Sequence, residues 1–272
     1  MLSVQRFHDK SIGKLVTPSY FLAIKEFLDI TICGRNISTM LSHWDRALGI
    51  EEHVYENLVR VFYYNMEISS SRQVQIFTSV GGIRIEFDEE DLCTILGIHY
   101  GGLDIYTIKK DFEFSDFCHV DGVRNICRRR DLSDDLCSLS FKSQLLSFQV
   151  RLLHSILQHM VTPRQGHSDK VTRLDVGLLD SLLHGRHVSL SYTIMCHMLS
   201  TPIVTNRSLP YGSIITRILR YYHVPLTEPV YVESRKLGRE IISAIRFFKQ
   251  RGNWVKTQSS KNEDTLVAPE DD

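Results

Sequence analysis

The 272-residue chain predicts a mainly α, multi-helix globular domain with one small β-hairpin at about residues 74–87. Three observations lead there. Apolar side chains recur at helical spacing in segment after segment, and the period changes to two only around Gly81-Gly82. The third is composition: 43% hydrophobic residues, with 32 basic against 32 acidic side chains, suit a packed core.

Pro18, after Thr17, suits a first helical turn, where a missing amide donor is no loss. Phe21, Ile24, Phe27 and Leu28 follow at helical spacing, so residues 1–36 are expected to hold a lead-in and an N-terminal helix. Ile37, Met40, Leu41, Trp44, Ala47 and Leu48 form a cleaner stripe, closed by Gly49. "EEHVYENLVRVFYYNM" predicts a third helix, with Glu51 and Glu52 near its positive end and Val54, Leu58, Val61 and Phe62 on one face.

"VQIFTSV" and "IRIEF" flank Gly81-Gly82, a two-residue link suited to a primed turn. In that register Val80 faces Ile83, Thr78 faces Ile85 and Ile76 faces Phe87, all on one side; Ser79, Arg84 and Glu86 fall on the other. An isolated hairpin is marginal in water, so the apolar side must pack on helices. The acids Asp88, Glu89, Glu90 and Asp91 then read as a helix start. Asp88 is the N-cap, Asp91 reaches back to it, Phe87 and Leu92 staple the turn, and Glu89 and Glu90 complement the dipole until Gly97 ends the helix.

From Tyr100 to Ser140 the period is lost, and an insertion of turns and short helices is expected. A strong helix follows through Leu145, Leu146, Leu152, Leu153, Ile156, Leu157 and Met160, ending before Pro163. "KVTRLDVGLLDSLLHG" repeats the pattern through Val171, Leu174, Leu178 and Leu182, "VSLSYTIMCHMLS" is shorter, and another helix follows "LPYG". A last helix is expected over Val232 to Gln250, and residues 253–272 read as a disordered acidic tail. The resulting partition is 1–36, a main domain over 37–226, a C-terminal helix within 227–252, and the tail.

Balanced charge gives no global reason to bind nucleic acid or an anionic membrane; such contact needs a local patch. Cys33, Cys93, Cys118, Cys127, Cys137 and Cys196 have no repeating frame, and no secretory apolar region leads the chain. Free thiols in an intracellular compartment, nuclear or cytoplasmic, are expected. Residues 1–16 are mildly basic but contain Asp9 and no Arg/Ser-rich helix, which argues against a transit peptide. "YFLAIKEFLDITI" is broken by Lys25, Glu26 and Asp29, so no membrane span is expected.

Candidate chemistry is sparse. Cys118, His119, Cys127 and Cys137 share one irregular segment, with His184 and His187 further on, but zinc sites bring ligands in closely spaced pairs and none is present. No metal and no cofactor are expected. Arg124, Arg128, Arg129 and Arg130 make the concentrated positive segment, the candidate nucleic-acid contact, although Asp131, Asp134 and Asp135 follow at once. Phosphate-loop, dinucleotide and nucleophile-elbow motifs are absent. His154 and His159 suggest ordinary helix packing, and Asp175 and Asp180 are expected on the solvent face of their helix.

Three stretches together carry a family resemblance. "ISTMLSHWDRALGIEEHVYENLVRVFYYNMEIS" with "VGGIRIEFDEEDLCTILGI" resembles the front of the putative plant transposon protein domain. "HMVTPRQGHSDKVTRLDVGLLDSLLHGRHVSLSYTIMCHML" is similar to its middle, and "LPYGSIITRILRYYHVPL" to its closing motif, over roughly Ile37 to Leu226. The chain departs from the commoner pattern at Tyr64 and Asn65, and at His223, where glycine is more usual. The resemblance implies a transposable-element, retrotransposon-derived origin in plants and carries over no catalytic residues. The expected role is therefore a non-enzymatic structural or interaction module of Gag-like type, with self-association or protein partners. The alternatives are a nucleic-acid-binding module using Arg124 to Arg130, and a degenerate transposase or nuclease.

Overall fold

A computed structural model describes residues 5–6, 14–68, 74–106, 113–114, 117–134, 137, 140–164, 169–201, 208–228, 230–250 and 253–257. Its elements begin with β1 (Gln5–Arg6) and β2 (Tyr20–Leu22), then a 3-10 turn at Ile24–Phe27. The helix expected after Pro18 is thus replaced by a strand and one turn. The cause is long-range: β2 pairs in parallel with Arg235–Leu237 from the far end of the chain. That hydrogen bonding outweighs the weak helical period of Phe21, Ile24 and Phe27, and Leu28 is left 59% exposed.

A short antiparallel pair, β3 (Thr31–Ile32) and β4 (Arg35–Asn36), leads into α1 (Ile37–Met40) and α2 (Asp45–Leu48), separated by a 3-10 turn at Ser42–Trp44. The single helix read from the stripe is broken. Ser42 donates its hydroxyl to Thr39 O (2.9 Å), diverting a backbone acceptor, and Trp44 Nε1 donates to Val188 O (3.3 Å). All six apolar residues of the stripe are nevertheless buried. Helix α3 (Glu56–Tyr64) starts later than expected, because Val54 exchanges both backbone hydrogen bonds with Val232 (2.7 and 2.9 Å). Its buried stripe is Val59, Phe62 and Tyr63, and Val61 turns outward.

The hairpin of β6 (Ile76–Val80) and β7 (Ile83–Phe87) has the expected register, and Gly81 and Gly82 take φ of 58° and 79°. It is not solitary. β5 (Glu67–Ile68) pairs with β6 and β1 with β5, giving a four-stranded sheet of order β1-β5-β6-β7. Thr78, inside the apolar face, is satisfied by donating to Phe62 O (2.8 Å). In α4 (Glu89–Leu96) Asp88 accepts from Asp91 N (3.0 Å), Asp91 accepts from Asp88 N (3.2 Å), and Gly97 closes the helix at φ 68°.

Beyond β8 (Glu113–Phe114) and β9 (Phe117–Cys118), the irregular segment contains a nine-residue helix, α5 (His119–Cys127). Gly122 lets it lie close to its neighbours; a Cβ there would stand 2.8 Å from Phe117 Cε2 and 3.1 Å from Val176 Cγ1. β10 (Phe141–Lys142) pairs with β11 (Lys170–Val171) around α6 (Phe148–Met160), which starts after the exposed Leu145. α7 (Arg173–Leu183), α8 (Leu190–Ser200) and α9 (Gly212–Tyr221) complete the helical core. His223 follows at φ 55°, a left-handed position where glycine would be unstrained.

The expected C-terminal helix over Val232 to Gln250 is also corrected. The segment forms β12 (Arg235–Leu237), a five-residue α10 (Glu240–Ala244) and the hairpin of β13 (Phe247–Gln250) with β14 (Asn253–Lys256). Arg246, at φ 64°, ends the helical path. Phe247 and Trp254 then pack on Phe148, with ring centres 4.9 and 4.4 Å away. Residues 253–256, assigned to the tail, are strand; residues 258–272 lie outside the described residues. The whole is mainly helical, with small β elements at its margins.

Candidate functional site

The residues singled out in the sequence do not converge. Arg124 donates to Leu132 O (3.0 Å) and to Asp134 (2.7 Å), and Arg129 to Asp131 (2.7 Å). The expected neutralising aspartates therefore hold two of the four arginines; Asp135 lies outside the described residues. Arg128 donates to Cys33 Sγ (3.2 Å), and Arg130 is exposed. Cys127 and Cys137 are buried thiols, Cys118 is exposed, and among the described residues no group of three or more His, Cys, Asp or Glu is arranged to hold a metal. Burial, with a smaller push from Cys137, moves the Cys127 thiol up to about 12, away from reactive thiolate chemistry.

Polar chemistry concentrates instead on α7, against expectation. Asp175 and Asp180 are 0% and 2% exposed, not on a solvent face. Both acids survive burial because each is matched by cations and donors. Arg164 grips both oxygens of Asp175 (2.7 and 2.6 Å), the Thr172 hydroxyl and amide donate to Oδ2 (2.7 Å each), and His154 Nε2 stands 3.6 Å away. Burial by itself would raise this pKa. The neighbouring His154 imidazole, the Arg164 charge and the Thr172 hydroxyl overcome it and hold the carboxyl well below its ordinary range. Five residues on, Asp180 accepts from Arg186 (2.6 Å) and from Asn125 Nδ2 of α5 (3.0 Å). The first site had a sequence signal, since Thr172 and Asp175 are spaced as a capping box. At the second, His184 and Arg186 are near in sequence, but Asn125 comes from a distant helix that spacing does not reveal.

Two further groups tie elements together. Glu89 accepts from the hydroxyls of Ser189 (2.5 Å) and Ser191 (3.2 Å), so one acid of the α4 cap also anchors the start of α8. At the "LPYG" turn, Tyr211 takes φ 61° and is 5% exposed. Its hydroxyl donates to Val161 O (2.6 Å) and stands 3.0 Å from His197 Nδ1, while Tyr63 donates to Pro210 O (3.1 Å). Tyr211→Phe is expected to cost about 1–2 kcal/mol in urea unfolding, because it strands a buried carbonyl. Beside this turn a cleft lined by Ser19, Tyr20, His159 and Ser213 has about 30 Å³ of free space, room for water rather than a metabolite.

Fold and polar geometry together define a class: a mainly helical domain whose two buried α7 aspartates are bonded to side chains beyond that helix. The model of the family described as "Putative plant retrotransposon-related domain" matches residues 40–225, and the chain belongs to that family. No curated protein and no solved structure matches it. Among the described residues, no helix is long and apolar enough to cross a membrane.

Proposed function

We propose that this domain is a non-catalytic structural or interaction module, Gag-like in role, of a retrotransposon-derived protein. The observation that carries the reading is Asp175. The most deeply buried carboxylate of α7 is 0% exposed and has both oxygens bonded, to Arg164 and Thr172, which suits a scaffold bond rather than contact with a substrate. Asp180, Glu89 and Tyr211 are committed in the same manner, to neighbouring elements of the chain itself.

Such a module acts through its surface, by association with copies of itself or with other proteins. Multi-angle light scattering across a concentration series is expected to show reversible self-association. Metal-dependent cleavage of DNA or RNA by the purified chain, abolished by Asp175→Asn or Asp180→Asn in a still-folded protein, would overturn the reading in favour of a degenerate nuclease.

A further inference from the structure

Among the described residues, β7 is an edge of the four-stranded sheet and pairs only with β6. Gly81 and Gly82 both take positive φ, so Val80 and Ile83 close the two-residue turn as a hydrogen-bonded pair. Antiparallel pairing alternates from there. Ile83, Ile85 and Phe87 therefore bond to β6, while the N–H and C=O groups of Arg84 and Glu86 point off the edge. The Tyr222 hydroxyl marks that direction by donating to Glu86 O, and a carbonyl keeps a second lone pair. Among the described residues, no backbone group bonds Arg84 or Glu86 from that side.

Such an edge is a template for another strand, and soluble proteins blunt theirs with proline, a bulge or repelling charge. Strand β7 has neither proline nor bulge, and its two charges are of opposite sign. Arg84 and Glu86 are exposed on the face away from the core and bond to each other along the strand (3.2 Å). Their order decides which strand fits. Two copies of β7 laid antiparallel about a two-fold axis at Arg84 set that arginine against itself. An axis at Glu86 sets two glutamates together and needs the amide of Asp88, already bonded to Asp91. An axis at Ile85 sets Arg84 opposite Glu86 on both sides, brings their outward backbone groups into one hydrogen-bonded pair each, and lays the half-buried Ile83 beside Phe87 of the other copy. Unlike charges directly opposite stabilise a strand pair and like charges destabilise it, so this third register is the favoured one.

We propose that β7 is a self-association edge: two copies of this chain join antiparallel about Ile85, with Arg84 of each facing Glu86 of the other, and merge their sheets. The contact is isologous, so it closes as a dimer without leaving a second β7 edge exposed. It names the surface and the partner for the module proposed above, and it rests on that reading.

The test is sedimentation equilibrium of the full chain over a concentration series. Arg84→Glu and Glu86→Arg, each alone, place like charges opposite one another at both ends of the pairing. Each is expected to weaken the dimer about tenfold or more. Mixing the two variants restores every cross-strand pair, although positions 84 and 86 still repel within each chain. A heterodimer about as tight as the unaltered dimer is therefore expected, which repair of the bond along one strand would not produce. Melting temperatures at monomeric dilution verify folding, and hydrogen exchange at the Arg84 and Glu86 amides is expected to slow as the unaltered chain is concentrated. A chain monomeric throughout, association that neither reversal changes, or variants that stay apart on mixing would overturn the proposal. Association that ignores the reversals sinks the β7 contact and leaves the module reading in place, whereas the metal-dependent cleavage described above ends that reading itself.

Discussion

Asp175→Ala is expected to destabilise the fold by about 3–5 kcal/mol, read as a lowered urea midpoint with an unchanged slope. The substitution strands the Arg164 guanidinium, itself only 20% exposed, removes the acceptor beside His154, and opens the Thr172 cap. The pH dependence has a definite sign. The folded carboxyl titrates below the ordinary value for an aspartate, so its contribution is fully present above that ordinary value and is lost as pH falls through the lower folded one. The gap between the unaltered chain and Asp175→Ala should therefore stay constant at neutral pH and close only in strong acid. Adding Arg164→Ala to the variant should cost less than Arg164→Ala alone, because the partners form one network. A near-neutral Asp175→Ala would show that the clamp is incidental.

Gly102→Ala is expected to cost about 3 kcal/mol or more, seen as a drop in melting temperature. Gly102 sits at φ 121°, where an L side chain is strained, and its added Cβ would lie 2.7 Å from Ser189 N and 2.8 Å from Val188 C. Those are backbone atoms of the α8 entry, not flexible tips that could swing aside. The same contact holds Leu103 N to His187 O (2.8 Å) and Ser189 N to Leu103 O (3.1 Å). Alanine must therefore push apart the junction that also presents Ser189 to Glu89. Gly101→Ala is the control: its φ is also positive, at 97°, but its Cβ would meet nothing within 4 Å. Comparable losses at both positions would assign the effect to backbone strain alone.

Legibility followed the range of the interactions. The Val80–Ile83 register and the Asp88–Asp91 cap depend on partners three residues apart, and each is present in the fold as read. Phe21 and Val232 were misread for the opposite reason. Their strand and bridge partners, Lys236 and Val54, are remote, and a helical spacing of a few apolar residues says nothing about them. Asp180 looked like a solvent-facing acid because Asn125 reaches it from α5, a remote part of the sequence. The positive segment was visible in the sequence, yet the bonds of Arg124 and Arg129 to Asp134 and Asp131 were only suggested by composition.

By itself the amino-acid order determined that this is a mainly helical member of a plant retrotransposon-related family, with a glycine-linked hairpin feeding an acid-capped helix. Helical periodicity, turn chemistry and caps are local, so they are written within a few residues of where they act. Only the tertiary structure decided that two aspartates of α7 are buried, that Tyr20–Leu22 pairs with Arg235–Leu237, and that Arg151 lies over the Phe247 ring. Those outcomes depend on which surfaces exclude water together and on which charges are then left with or without a partner. Both are properties of the packed chain.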